Sequence, residues 1–278
     1  MVEGQGIAIA RRIVSMLDTS NCDMALVTGS TARGIRDQSS DVDLYLYRTD
    51  AVGVPGSMQP SLAASGALLV FGHPTSTGRF EKFQVDGSYV DIEQVAVEVL
   101  DAVAGRIEAG MVDAGDIKTI VGVRDAIALV GAETLRTWQD RLILTDEVAI
   151  SEVRRLAGRI LPLRALYDLT WARSDEISYF ARVSPVLLAG LGLLGAVNRQ
   201  WVTTDDPKWL PWQIERLEVK PPGLLDGFRA ALTAPTEQST GVASGLLSDI
   251  LDLVDDHIGE ADTRLARFAL HLGATPPS

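Results

Sequence analysis

The strongest constraint on what this chain can fold into lies between residues 25 and 47, where a strand-like run enters a glycine turn and a second run carries two acids. Ala25-Leu26-Val27-Thr28 is short, apolar and partly β-branched, and it stops at Gly29, the pattern of a buried strand running into a turn. Gly29 lets a phosphate approach the backbone closely. Ser30 adds a hydroxyl, and Ser30 to Arg36 is expected to begin a helix whose free N–H groups and positive dipole end favour an anionic oxygen. After the polar turn Arg36-Asp37-Gln38-Ser39-Ser40, residues Asp41 to Tyr47 alternate in character. Val42, Leu44 and Leu46 then share one face, and Asp41 and Asp43 the other.

Two like charges side by side on a strand repel, and a hard divalent ion such as Mg²⁺ relieves that repulsion through carboxylate oxygens. A third acid would complete such a site. Phe83-Gln84-Val85 and Ser88-Tyr89-Val90-Asp91-Ile92-Glu93-Gln94-Val95 flank Asp86-Gly87, a strong hairpin dipeptide. On the second arm Val90 and Ile92 face one way, Asp91 and Glu93 the other. Asp91 fits the strand pattern best as the third acid, with Glu93 its rival.

Together, Gly29-Ser30, Ser40-Asp41-Val42-Asp43 and Val90-Asp91-Ile92 resemble the signature of the DNA polymerase β-like nucleotidyltransferase superfamily. Within it, the spacing is similar to that of the aminoglycoside and lincosamide nucleotidyltransferases and of the minimal nucleotidyltransferases that pair with helical proteins. The resemblance implies an α+β fold: a small mixed β-sheet core with flanking helices, then an all-helical C-terminal domain. It also implies ATP or another nucleoside triphosphate as donor, and two Mg²⁺ ions held by Asp41, Asp43 and Asp91. The third acid of the family also helps to deprotonate the acceptor hydroxyl. Ser30 and nearby N–H groups would hold the phosphates. Arg33 is read either as a helix-surface cation or as a contact to a phosphate or to the acids.

Composition narrows the acceptor. Of 278 residues, 46% are hydrophobic, enough for a proper core, and the formal net charge is −12. That balance disfavours loose nucleic-acid binding and suits a small cationic acceptor; taken with the resemblance, it implies an aminoglycoside-like antibiotic. Cys22 is the single cysteine, so no internal disulfide or cysteine metal cluster exists, and a cytoplasmic protein is expected. Ile7 to Leu17 is amphipathic with arginines in its middle, unlike a signal peptide, and reads as a packed helix. Val186 to Val197 is the most hydrophobic run, but it falls short of the roughly 20 residues that span a bilayer. It is expected to be a buried helix starting at Ser184-Pro185. Its Gly190-x-Gly192-x-x-Gly195 lacks the strand–turn–helix setting of a dinucleotide site, so these glycines are read as permitting close helix packing.

Apolar spacing changes to threes and fours after about residue 97, as in Val153-Leu156-Ala157-Ile160-Leu161 and Leu246-Leu247-Ile250-Leu251-Val254. We therefore divide the chain into a nucleotidyltransferase domain, 1–98, and a helical substrate-binding domain, 99–278. In the second part, Asn198-Arg199-Gln200-Trp201 and Thr204 to Trp212 concentrate three of the five tryptophans. This segment is either a loop pinned by aromatics or a site element in which Lys208 reaches a phosphate across the cleft. His73, His257 and His271 show no ligand spacing. Two other classes remain open: a toxin or regulator that modifies tRNA or protein, and a non-catalytic nucleotide-binding module. The densest arginine stretch, Arg154 to Arg164, has helix-surface spacing rather than that of a nucleic-acid stripe.

Overall fold

A computed structural model describes residues 2–49, 55–205, 207–259 and 263–271. The tail Pro276-Pro277-Ser278, expected to fray, lies outside them. In chain order the elements are α1 (Val2–Val14), β1 (Cys22–Thr28), α2 (Gly29–Ala32), β2 (Val42–Arg48), α3 (Gln59–Ala63), β3 (Leu68–Thr75), β4 (Gly78–Val85), β5 (Ser88–Ala96), α4 (Glu98–Glu108), α5 (Ala114–Arg124), β6 (Ile127–Val130) and α6 (Ala132–Arg141). There follow α7 (Asp146–Ala157), α8 (Leu163–Leu169), a 3₁₀ turn (Trp171–Arg173), α9 (Glu176–Val197), α10 (Leu210–Glu215), α11 (Leu224–Thr233), α12 (Glu237–His257) and α13 (Arg264–His271).

The chain forms two compact units, Met1–Arg106 with Thr119–Leu142, and Ile107–Lys118 with Ile143–Ser278. The first holds a six-stranded mixed sheet in the order β3-β4-β5-β2-β1-β6. The β2–β5 pair is parallel and every other pair antiparallel. Alternation along β2 and β5 sends Val42, Leu44, Val90 and Ile92 into a core that Ile9, Ala10 and Ile13 of α1 and Leu62 of α3 complete. The hairpin expected at Asp86-Gly87 is present: both residues have positive φ, 49° and 78°, and Val85 faces Ser88. Such a two-residue turn matches the twist of the strands it joins.

The boundary expected at residue 98 needs correction. The sheet unit takes back residues 119–142, because Ile127–Val130 pairs antiparallel with β1. Four apolar residues are too few for periodicity to separate a strand from a helix, so the run carried no local signal.

The second unit is helical. Its α9 starts at Glu176, not at Ser184-Pro185, with the Asp175 side chain accepting from Ser178 N–H at the cap. Pro185 sits inside the helix on an exposed face, where water can satisfy the carbonyl that proline leaves unbonded. Among the described residues α9 is long and apolar enough to cross a membrane, but 67% of its most apolar stretch is buried inside the structure. The glycine run packs closely, as expected: a Cβ at Gly190 would stand 2.6 Å from Leu247, and one at Gly192 2.6 Å from Leu156.

The tryptophan-rich segment is pinned by polar contacts. The Asn198 side chain donates to the Leu194 and Val219 carbonyls and accepts from Glu218 and Val219 N–H. Trp201 is buried, and the Arg216 guanidinium stacks over Trp212.

Leu44 is fully buried between the residues that face the acidic side of the sheet. Leu44→Ala is expected to cost about 2–5 kcal/mol in urea denaturation; a change below about 0.5 kcal/mol would mean that β2 is not a core strand.

Candidate metal centre

The parallel pairing of β2 and β5 sets Val42 opposite Val90, Asp43 opposite Asp91 and Leu44 opposite Ile92. Because the apolar pairs face the core, the two aspartates stand together on the other face. Asp41 immediately precedes β2. One oxygen from each of Asp41, Asp43 and Asp91 lies within 4.8 Å of the others, and all three residues are half-buried.

Lys82, which the sequence reading passed over, neutralises part of this charge. It stands opposite Asp91 in the β4–β5 hairpin, with Nζ 2.8 Å from Asp91 Oδ1 and 3.5 Å from Asp41 Oδ2. Burial, reinforced by the neighbouring Asp41, pushes the Asp91 carboxyl above its ordinary pKa against the pull of Lys82. Burial works against the Lys82 ammonium, but its two carboxylate partners prevail and hold its pKa above the usual lysine value.

These residues fit a hard divalent cation. The donors are all carboxylate oxygens, and a cationic nitrogen already stands between two of them. Asp41, Asp43 and Asp91 are the residues that would hold it.

Gly29 is placed by the same cluster. In β1, Thr28 pairs with Asp43, and Gly29 follows with φ 62°. A Cβ at Gly29 would lie 1.9 Å from Asp43 Oδ2, so the notch left by the missing side chain is filled by the carboxylate. The close approach expected of a phosphate is therefore made first by Asp43.

The helix expected over Ser30 to Arg36 is a single turn, Gly29–Ala32, closed by Arg33 N–H to Gly29 and Gly34 N–H to Thr31. Four residues make too short a helix for an extended dipole, so the free N–H groups of the first turn are what it offers an anion. Ser30 is 6% exposed.

Arg33 is not a helix-surface cation. Its Nε lies 2.8 Å from Asp125 Oδ2, and Asp125 also binds Arg124 at 2.7 Å. Burial opposes the charged carboxylate, but Arg124 and then Arg33 outweigh it and hold the Asp125 pKa below the ordinary value. Glu93 lies outside the three-aspartate group. It stands opposite Tyr45 and accepts a hydrogen bond from its phenol. Burial and the Glu93 charge together push the Tyr45 pKa far up.

Lys208 belongs to the helical unit, where it is exposed and its carbonyl accepts from the Gln213 side chain.

No protein-family model matches this chain, and neither does any curated protein. Solved structures similar to it include a nucleotidyltransferase-like protein from Exiguobacterium sibiricum 255-15, 13% identical with a TM-score of 0.41 over 98% of this chain and 82% of that one. Another is an aminoglycoside 6-adenyltransferase from Bacillus subtilis, 9% identical with a TM-score of 0.30 over 96% of this chain and 97% of that one. One is described as nucleotidyltransferase-like and the other as an adenyltransferase, at a likeness too remote to transfer residues or substrates.

Gly29→Ala is expected to displace the Asp43 carboxylate and, through its left-handed φ, to cost at least about 1–2 kcal/mol, measurable by thermal unfolding. An alanine tolerated without loss would mean that Asp43 does not fill the notch. Asp125→Asn is expected to cost up to about 3 kcal/mol at pH 7. Because the folded-state pKa of Asp125 is depressed, the wild-type advantage should persist down to about pH 4. It should shrink as the pH falls further, through the folded-state pKa; an advantage that grows on acidification would contradict the assignment.

Proposed function

We propose that this chain is a Mg²⁺-dependent nucleotidyltransferase that passes a nucleoside monophosphate, AMP from ATP, to a hydroxyl of a small molecule. The observation that carries this reading is the convergence of Asp41, Asp43 and Asp91, two of them paired with the Lys82 ammonium, beside the Gly29 turn. The acceptor oxygen forms a bond to the α-phosphorus, the bond from that phosphorus to the bridging oxygen breaks, and pyrophosphate leaves. When bound, Mg²⁺ neutralises the phosphate oxygens, stabilises the leaving group and lowers the pKa of the acceptor hydroxyl.

The three aspartates would hold the cation, and Asp91, on the strand farther from the turn, would accept the acceptor's proton. The turn after Gly29, including Ser30, faces the β- and γ-phosphates. The Arg33–Asp125–Arg124 group fixes the end of that turn. Glu93 is assigned to orienting Tyr45 rather than to the metal.

A small acceptor is favoured over tRNA because Arg155, Arg159 and Arg164, in the densest arginine stretch, are each paired with an acid: Glu152, Asp205 and Asp168 respectively. The net charge of −12 adds to that preference and keeps cationic antibiotics among the acceptors to test. The reading places the reaction in the cytoplasm, in keeping with a chain whose single cysteine forms no internal disulfide.

The direct test is label transfer from α-phosphate-labelled ATP with Mg²⁺ into a cell lysate supplemented with aminoglycosides and lincosamides, then fractionated. Label is expected in the small-molecule fraction. Asp43→Asn should lower it by about 10³-fold, the equivalent of several kcal/mol of transition-state stabilisation. Full activity in Asp43→Asn would refute the metal assignment, and label in RNA or protein would replace the small acceptor with a macromolecule.

A further inference from the structure

The face of the sheet that carries the carboxylates also carries an open aromatic cluster. On the edge strand β3, Phe71 stands opposite Lys82 and His73 opposite Phe80. On β4, Lys82 stands opposite Asp91 and Phe80 opposite Glu93. Directly opposed residues share a face, and the 2.8 Å contact of Lys82 with Asp91 makes it the face of the carboxylates. The rings of Phe71, His73 and Phe80 lie 5.6, 5.7 and 6.4 Å apart, and Nδ1 of His73 sits 3.0 Å from the Pro74 carbonyl, which steadies that ring. Phe71 is 48% exposed and His73 is exposed. Phe71 and His73, exposed on this edge strand, pack with the half-buried Phe80 into an apolar surface that suits an occupant.

The order of strands supplies the direction. The Gly29 turn leaves β1, on the far side of Asp43 from β5. With the β- and γ-phosphates over that turn, pyrophosphate departs on the β1 side. Phosphoryl transfer keeps the attacking and leaving oxygens roughly in line, so the acceptor hydroxyl arrives from the opposite side, over β5 and β4. The aromatic cluster lies there, with β3 two strands beyond β5, roughly 10 Å away.

We propose that Phe71, His73 and Phe80 form the platform that binds the acceptor, and that the acceptor is a small hydroxylated molecule with a planar aromatic or heteroaromatic ring. This rests on the nucleotidyl-transfer reading, which sets the direction of attack. Aromatic faces hold planar rings by offset stacking.

The test uses the full chain and ligand-observed NMR with tyrosol and tryptophol as planar probes. Mg²⁺-ATP binding is measured in parallel by equilibrium dialysis. Both planar probes should bind and should weaken at least tenfold in the Phe71→Ser, His73→Ser double variant, with thermal unfolding and Mg²⁺-ATP binding unchanged. Planar probes that fail to bind the wild-type chain, or that bind the variant equally well, would overturn the proposal. A fall in Mg²⁺-ATP binding in the variant would also overturn it, by assigning the rings to the donor's base. If the wild-type chain does not bind Mg²⁺-ATP, the nucleotidyl-transfer reading itself fails, and the planar-probe result is read separately from it.

Discussion

The in-register parallel pairing of β2 with β5 is the contact on which the rest of the site depends. It aligns two alternating strands so that Val42, Leu44, Val90 and Ile92 enter one core while Asp43 and Asp91 meet on the opposite face. A slip of one residue on either strand would turn its carboxylate into the core and its valines and leucines outward. The energy of apolar burial therefore holds two mutually repelling charges side by side. That is the preorganisation a cation site needs, because the repulsion is met during folding rather than when the ion binds.

The surrounding elements extend this arrangement. Gly29 gives Asp43 its space at the end of β1, and Lys82 brings a positive charge from β4. The Arg33–Asp125–Arg124 group ties the turn to the end of α5 and the residue after it, next to the strand β6 that joins the sheet. An ammonium beside two of the three acids offsets part of their charge. It also means that a divalent ion must displace or accommodate Lys82 as it binds.

How much of this was legible in the sequence depended on the distance over which each contact acts. Alternation along Asp41–Tyr47 and Ser88–Val95 correctly put the aspartates on one side of their strands, because alternation is a local property. The Asp86-Gly87 turn already determined that Lys82 faces Asp91, since a two-residue loop fixes the register of both arms; counting back from the turn would have found it. The pairing of Asp43 with Asp91 across a parallel crossover has no such local marker. Nor has Arg33 with Asp125, 92 residues away. The strand β6 was missed because four apolar residues carry no period. The start of α9 was placed late because Pro185 reads as a helix start, yet here it lies on a solvated face.

The central claim is that Asp41, Asp43 and Asp91 form one divalent-cation site that Lys82 guards. Titration of the chain with Mn²⁺, followed by electron paramagnetic resonance, tests it most directly. The account expects saturable binding that Asp43→Asn abolishes and Lys82→Met tightens, because removing the ammonium leaves the carboxylates without a competing cation. Absence of saturable binding, or binding that Asp43→Asn leaves unchanged, would contradict it.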